Sequence, residues 1–358
     1  MQHKMDPNSD NFGAEEELHA LRAIDAAANR AREGLRAAED YLRFVLDDRH
    51  LTGQCKQLRH QLADALAPID LSKRMAARET QADVGTTLST TGEEQRAAAA
   101  DVLTANLTRL QEALRGLEEF GKLVNPTVAA KIKQLRYRSY TLQRAAEITT
   151  EAVSRLVDAR LYVLIDGQTS ADDFRRLAGQ LVEAGVHVIQ LRDKRLEDRE
   201  LLARACLLRE ATAGSDTLFI MNDRPDLAAL SRADGVHVGQ EEVSVKDART
   251  IVGTEPLVGV STHSLDQARQ AVLDGANYIG VGPTFPSDTK DFADFPGPEL
   301  LEAVAAEIRL PAFAIGGISL DNLPQVLAAG FSRIAVSGAV ASAADPKQTA
   351  RAFLDRLE

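Results

Sequence analysis

Two rhythms of apolar residues divide this chain. Between about residues 14 and 160, apolar side chains recur at three and four, as at Leu18, Leu21, Ile24 and Ala28. That is the period of a helix with one buried face. Breaks fall near Gly53, Pro68, Gly85, Gly92 and Pro126, which predicts four to six helices packed as a bundle. After Arg160 the rhythm changes. β-rich runs at Leu161–Ile165, Val186–Leu191, Thr217–Met221, Gly235–Val238, Leu257–Val260, Tyr278–Val281, Ala312–Ile315 and Arg333–Val336 alternate with amphipathic stretches such as Asp172–Ala184 and Ser264–Leu273. Eight such units in about 200 residues predict an α/β fold, a compact (β/α)8 TIM barrel, preceded by an all-α helical bundle. A doubly wound open sheet is the alternative, but no Gly-rich dinucleotide fingerprint follows the first run. The expected organisation is a disordered tail over 1–13, a helical domain over 14–150, a linker over 151–160 and the barrel over 161–358.

Composition narrows the function. No apolar run approaches the ~20 residues of a membrane span. The acidic start, residues 1–17, lacks the apolar core of a signal peptide. Cys55 and Cys206 stand far apart and outside any metal-binding spacing, which fits a reduced, cytoplasmic compartment. Net charge is −11, and residues 151–358 carry −10 of it, with 21 Lys and Arg against 31 Asp and Glu. A nucleic-acid backbone needs a basic surface, so nucleic acid is not an expected partner. An acidic barrel that binds a phosphorylated ligand must gather its few cations at the site or use a metal.

Polar clusters end the β-rich runs, where barrel active sites lie. Gln190-Leu191-Arg192-Asp193-Lys194 ends the second run, and Arg192 and Lys194 alternate to one side. Arg offers a fork and Lys a point charge to phosphate oxygens. An exposed strand end with surface charges is the plainer reading of that cluster alone. Asn222-Asp223 ends the third run. Asp223 could hold Mg²⁺ and Asn222 a ligand ring, or the pair could form an Asx-turn or cap before Pro225. Glu242 could supply a second carboxylate to the same ion, and Mg²⁺ asks for few protein oxygens. Ser261-Thr262-His263 ends the fifth run. The long loop Gly282–Lys290 carries Ser287, Asp288, Thr289 and Lys290 in the position of a lid over an anion. Gly316-Gly317 and Val336-Ser337-Gly338 read as a phosphate cradle.

The helical region contains an echo. Arg30, Glu33, Gly34, Leu35, Arg36, Glu39 and Asp40 recur 79 residues later as Arg109, Glu112, Ala113, Leu114, Arg115, Glu118 and Glu119. Two related helices with pseudo-symmetry are expected. The plainer reading of the charges is two solvated ion-pair ladders. The sharper one is a phosphate pocket using Arg30, Arg36, Arg109 or Arg115, with Lys56 and Arg59.

Residues 160–358 resemble thiamine-phosphate synthase throughout. QLRDK (190–194), ND (222–223), DGVHVGQEE (234–242), GVSTH (259–263), GPTFPSDTK (282–290), AIGGI (314–318) and VSGA (336–339) follow that family's order. The resemblance implies a transferase that joins a pyrimidine methyl diphosphate to thiazole phosphate and releases pyrophosphate. It implies small-molecule substrates, and it leaves open whether the chain forms a homo-oligomer. It places Gln190, Arg192, Lys194, Asn222, Ser261 and Lys290 on the pyrimidine diphosphate, with Leu191 and Asp193 in the same motif. Asp223 and Glu242 would bind Mg²⁺. Ser287, Asp288, Thr289, Gly316, Val336 and Ser337 would contact the thiazole phosphate. The catalytic set is Arg192, Lys194, Ser261 and Lys290. Two departures stand out: Glu242 replaces the family's usual Asp, and Ser287 its usual Thr. The helical region resembles the ThiD2 family, through RAREGLRAAEDYLRF (30–44), CKQLRH (55–60), ARETQADVG (77–85), ANLTRLQEALRGLEEFGKL (105–123) and LRYRSYTL (135–142). That family is associated with phosphorylating pyrimidine monophosphate to the diphosphate. No P-loop accompanies it. The competing readings are a helical interaction or dimerisation module, and a thiazole-tautomerising barrel.

Overall fold

The structure, a computed structural model, describes residues 7–78, 96–286 and 296–357. The chain divides into two compact units, residues 1–147 and 148–358. The first is built from α1 (Pro7–Phe44), α2 (Arg49–Leu66), α3 (Leu71–Ala76), α4 (Ala99–Val124) and most of α5 (Pro126–Arg155).

Two expected boundaries move. α1 starts at Pro7, within the segment expected as a disordered tail, and proline suits a first helical turn. α5 runs on to Arg155, into the expected linker. One expected break is also displaced. Gly53 lies inside α2. The break falls at residues 45–48 instead, where Asp47 takes a left-handed φ of 55° and the Asp48 carboxylate caps α2 by accepting from Leu51 N at 2.7 Å. The Pro126 break stands where the sequence put it, with Asn125 Oδ1 accepting from Thr127 N and Val128 N. Gly85 and Gly92 lie outside the described residues.

The echoed helices α1 and α4 pack along each other. Leu35 and Leu114, equivalent in the repeat, are both buried. So are the equivalent acids Glu39 and Glu118, each held by an arginine of the following long helix. Arg59 of α2 meets Glu39 at 3.0 Å, and Arg136 of α5 meets Glu118 at 3.0 Å. The pseudo-symmetry is therefore one of packed helix pairs with a buried acid in each. Arg30, Arg36, Arg109 and Lys56 are exposed, and Arg115 pairs along its own helix with Glu118 and Glu119. The ladder reading describes Arg115, and Arg59 is occupied by Glu39.

The second unit is a closed barrel of eight parallel strands in sequence order, with the eighth paired back on the first. The strands are β1 (Leu161–Ile165), β2 (Val188–Leu191), β3 (Leu218–Asn222), β4 (Gly235–Val238), β5 (Leu257–Thr262), β6 (Tyr278–Val281), β7 (Ala312–Ile315) and β8 (Ile334–Val336). Among the described residues the helices of its outer layer are α6 (Ala171–Ala184), α7 (Asp198–Thr212), α8 (Pro225–Ser231), α9 (Val245–Val252), α10 (Leu265–Asp274), α11 (Gly297–Glu307), α12 (Leu323–Ala328), α13 (Gly338–Ala341) and α14 (Pro346–Leu357). Ser170, Ser244 and Ser264 begin α6, α9 and α10 by accepting the backbone N–H three residues on.

Alternation along each strand fills the interior in layers. Tyr162, Val188, Ile220, Leu257, Tyr278, Phe313 and Ala335 form one core cluster, joined by Leu156 and Ala159 just ahead of β1. Its three aromatic rings meet edge-on or tilted at 5.3–6.0 Å. The Tyr278 ring lies over Gly259, where a Cβ would stand 2.1 Å from its Cζ. Two residues further along β2 and β3, the inward positions become polar, Gln190 and Asn222, and His237 of β4 and Ser261, four residues past Leu257 on β5, join them. The packed core is thus a floor, and chemistry begins one layer above it.

Candidate active site at the barrel rim

Three charged side chains from separate strand ends meet at the rim. Lys194 follows β2, Asp223 follows β3 and Glu242 follows β4. Lys194 Nζ lies 3.1 Å from Asp223 Oδ2 and 3.5 Å from Glu242 Oε1. The hydrogen bond to Asp223 holds the lysine pKa above its ordinary value. Asp223 adopts a left-handed φ of 60°, and its N–H donates to His237 O at 2.8 Å. That link fixes the start of the β3 loop on β4. Glu242 folds back over Gly239, where a Cβ would stand 2.2 Å from Oε2. A side chain at 239 would push the Glu242 carboxylate off this position.

The two carboxylates already share one cation, the Lys194 ammonium. A divalent ion in that place would meet two oxygen ligands from neighbouring strands and keep room for water and phosphate oxygens, as Mg²⁺ prefers. The donor set therefore fits Mg²⁺. Among the described residues no group of three or more His, Cys, Asp or Glu gathers for a metal, at the rim or elsewhere.

Beneath the rim runs a chain of buried hydrogen bonds. Gln190 Nε2 donates to Tyr162 OH at 2.8 Å. Tyr162 OH and Tyr278 OH are 3.1 Å apart, Tyr278 OH and His237 Nδ1 3.3 Å, and His237 Nε2 and Ser261 Oγ 2.9 Å. Burial pushes the His237 imidazole down to about 4; Asp223 pulls the other way and Arg192 adds to the fall. The ring is neutral at pH 7, with one donor and one acceptor nitrogen. Tyr162 already accepts from Gln190. The assignment that uses every proton has Tyr162 donate to Tyr278, Tyr278 to Nδ1, and Nε2–H to Ser261 Oγ. The Ser261 hydroxyl hydrogen is then left to point elsewhere. At the other end, Gln190 Oε1 is buried and has no partner. A buried, open acceptor costs stability unless a ligand satisfies it.

Of the residues singled out from sequence, Gln190, Lys194, Asp223, Glu242 and Ser261 fall into this constellation. Arg192 sits beside it at the end of β2, with its N–H on Ile165 O and its charge felt by His237 and Lys194. Asn222 is the last residue of β3, on its inward face. Others do different work. Leu191 is fully buried on the opposite face of β2 from Gln190. The Asp193 carboxylate is spent on a loop clamp, accepting from Gly167 N, Arg195 N and Leu196 N. Val336 alternates with inward Ala335 and so turns its side chain away. Ser337 Oγ donates to Leu164 O at 3.2 Å. Gly316 and Gly317 both take left-handed φ, 103° and 62°, and a Cβ on either would strike the 283–286 segment. Their backbone freedom lets that loop close on β7. Ser287, Asp288, Thr289 and Lys290 lie outside the described residues. His263 is exposed, with Nδ1 2.5 Å from Gly282 O.

Sequence reasoning passed over Tyr162, His237 and Tyr278. Each looks like ordinary strand filling. The available signal was a polar-tipped ring at an inward position of β1, β4 and β6.

Comparison with known proteins identifies the family of both units. A sequence profile described as thiamine monophosphate synthase matches residues 161–340, and that of the ThiD2 family matches residues 22–145. A thiamine-phosphate synthase of Rhodopirellula baltica is 46% identical over 94% of this chain and 92% of its own length. One from Gloeobacter violaceus is 42% identical over 96% of this chain and 98% of its own. A solved thiamine phosphate pyrophosphorylase from Pyrococcus furiosus is 33% identical and superposes with a TM-score of 0.51, covering 56% of this chain and 95% of that one. Kinship that runs the length of both units, together with the barrel profile, places this chain in the thiamine-phosphate synthase family of transferases.

Proposed function

We propose that the barrel joins 4-amino-2-methyl-5-(diphosphooxymethyl)pyrimidine to thiazole phosphate, giving thiamine phosphate and pyrophosphate. The observation that carries the reading is the meeting of Lys194, Asp223 and Glu242 above the polar layer of Gln190 and Ser261. A tautomerase needs no diphosphate cradle, so this set disfavours a thiazole-tautomerising barrel.

The carbon–oxygen bond to the diphosphate breaks first, and the aminopyrimidine spreads the positive charge left on its methylene carbon. Arg192 and Lys194, joined by Lys290 on the family resemblance, would oppose the charge growing on the departing diphosphate, where fixed cations lower the barrier most. Asp223 and Glu242 would hold Mg²⁺, which would supply further neutralisation of the leaving group's charge. The Ser261 hydroxyl, turned outward by neutral His237, donates to the leaving group. Gln190 Oε1 accepts from the exocyclic amine of the pyrimidine. The thiazole nitrogen then attacks the carbon, and no protein nucleophile takes part. The catalytic task is positioning. Ser287, Asp288, Thr289, Gly316, Val336 and Ser337 belong to the thiazole phosphate side of this proposal, the last three through backbone and hydroxyl groups.

The helical unit, on this reading, phosphorylates pyrimidine monophosphate and so makes the diphosphate the barrel consumes. The match to the ThiD2 family over residues 22–145 supports it. The competing reading is a non-catalytic assembly module. A cytoplasmic location fits two free cysteines, Cys55 buried and Cys206 exposed. No helix among the described residues is long and apolar enough to cross a membrane.

The barrel reading is tested by supplying preformed pyrimidine diphosphate and thiazole phosphate to the full chain and following thiamine phosphate by mass spectrometry. Product should form with Mg²⁺ and stop in excess chelator. Full turnover in chelator contradicts the metal assignment, and absence of product contradicts the synthase.

A further inference from the structure

The helical unit buries a guanidinium with two of its nitrogens left without a partner. Arg74 of α3 is 4% exposed, and its Nε and Nη1 have no hydrogen-bond partner. One carboxylate is near, Asp25 of α1, itself 4% exposed. That carboxylate is already taken. Arg78 Nε reaches Asp25 Oδ2 at 2.7 Å, and Asn29 Nδ2 lies 3.5 Å from the same oxygen. Two more guanidiniums, Arg32 and Arg78, are close enough to Arg74 to push its pKa down, after the larger effect of burial. Asp25, Asn29 and Arg32 stand at i, i+4 and i+7 on α1, so they share one stripe of that helix. α3 packs against α1.

The arrangement is unfavourable as it stands. A buried charge is tolerated when it is paired and hydrogen-bonded. Here Arg74 is buried with one carboxylate near it, Asp25, which Arg78 already holds, and the exposed guanidiniums of Arg32 and Arg78 leave the neighbourhood with an excess of positive charge. Evolution of a structural arginine would place a free acid opposite it, as this unit does for Arg59 with Glu39 and Arg136 with Glu118. The contrast within one helical unit marks Arg74 as held for a ligand. A guanidinium fork with open N–H groups binds phosphate oxygens in pairs. A phosphate ester carries nearly two negative charges at pH 7, which matches the excess.

We propose that Arg74, flanked by Arg32 and Arg78 and set over Asp25, is a phosphate-binding site of the helical unit that takes the terminal phosphate of a small phosphorylated molecule. The site stands on the geometry. Only the identity of its ligand, pyrimidine monophosphate or the nucleotide that phosphorylates it, rests on the kinase reading above. None of the cations suggested by the repeat takes part.

The test uses the full chain and hydrogen exchange, which reads the helical unit apart from the barrel. Peptides covering residues 22–34 and 71–78 are followed with inorganic phosphate, pyrimidine monophosphate, the unphosphorylated alcohol, or ATP, at matched ionic strength. Phosphate and one of the two phosphorylated ligands should protect both peptides, and the alcohol should not. Which phosphorylated ligand protects identifies the source. Arg74→Gln should abolish the protection, and Arg74→Lys should keep part of it. In phosphate-free buffer Arg74→Gln should melt at or above the wild-type temperature, because an unpaired buried charge is gone. Phosphate should then raise the wild-type melting temperature and leave the helical transition of the variant unmoved. Thiamine phosphate formation from preformed diphosphate should be unchanged in the variant, which shows that the barrel is intact. Equal protection in wild type and Arg74→Gln overturns the site. So does a variant that melts well below wild type without phosphate, as a structural arginine would. Protection by phosphate with no diphosphate made from ATP keeps the site and removes the kinase reading. Diphosphate made by Arg74→Gln at the wild-type rate keeps the kinase and removes the site; the expected loss is at least about tenfold in kcat/KM.

Discussion

Removing one oxygen atom from Tyr278 tests whether the buried chain beneath the rim aims the chemistry above it. Tyr278→Phe keeps the ring, its contact over Gly259 and its edge-on packing with Phe313. It deletes the hydroxyl that lies 3.1 Å from Tyr162 OH and 3.3 Å from His237 Nδ1. A typical buried hydrogen bond contributes about 1 kcal/mol net, and the 3.3 Å contact less, so the loss should be about 1–2 kcal/mol. In a unit of this size that lowers Tm by about 2–4 °C per kcal/mol. The larger consequence is directional. Without a donor at Nδ1, His237 can carry its proton on either nitrogen, and Ser261 is no longer compelled to donate outward. A mis-aiming penalty of about 1.4 kcal/mol lowers kcat about tenfold. Steady-state kinetics with preformed pyrimidine diphosphate should show that fall, with KM for thiazole phosphate nearly unchanged. A variant that loses stability but keeps its kcat would refute the positioning role and leave Tyr278 as core filling alone.

Asp223→Asn should lower turnover by at least about a hundredfold, since the proposed Mg²⁺ site loses one of its two carboxylates, while circular dichroism stays unchanged. Gly239→Ala should raise the Mg²⁺ concentration needed for half-maximal rate, because its Cβ would press on Glu242 Oε2; adding Glu242→Asp should relieve it by shortening the arm. A double variant worse than Gly239→Ala alone would contradict that geometry. Acid should destabilise the barrel through His237. Its folded pKa near 4 lies below the ordinary 6.5, so the unfolded chain binds the extra proton first. The stability is present above about pH 6.5 and lost as pH falls toward about 4. His187 shifts the same way, so the measurement is Tm against pH for wild type and His237→Asn, and identical slopes would refute the assignment. If Lys290 has the proposed role of opposing charge that grows as the diphosphate leaves, Lys290→Ala should lower kcat more than it raises KM; a pure KM effect would make it a docking residue.

The barrel was legible because parallel strands buried on both faces leave continuous apolar runs. β1, β4, β6 and β7 have the bounds the sequence predicted, Leu161–Ile165, Gly235–Val238, Tyr278–Val281 and Ala312–Ile315. Rim charges were legible because solvent-facing strand ends carry unmistakable residue types. What escaped notice depends on partners distant in sequence. Tyr162 and Tyr278 are 116 residues apart, and only barrel closure brings their hydroxyls together. Asp193 sits inside the most telling motif, yet its oxygens serve a loop clamp that spacing does not reveal. In the helical unit the echo foretold paired helices, but the repeat-related arginines stayed in solvent while Arg74 went inside. Periodicity records which face is buried; it does not record which buried charge lacks a partner.

The central claim is that one unit makes the diphosphate and the other spends it. The most direct measurement gives the full chain pyrimidine monophosphate, thiazole phosphate, ATP and Mg²⁺, and follows thiamine phosphate over time beside a reaction supplied with preformed diphosphate. The account predicts product in both, with a lag in the first while diphosphate accumulates. Product only from preformed diphosphate would contradict the kinase half and leave the helical unit an assembly module. Product from neither would contradict the synthase itself.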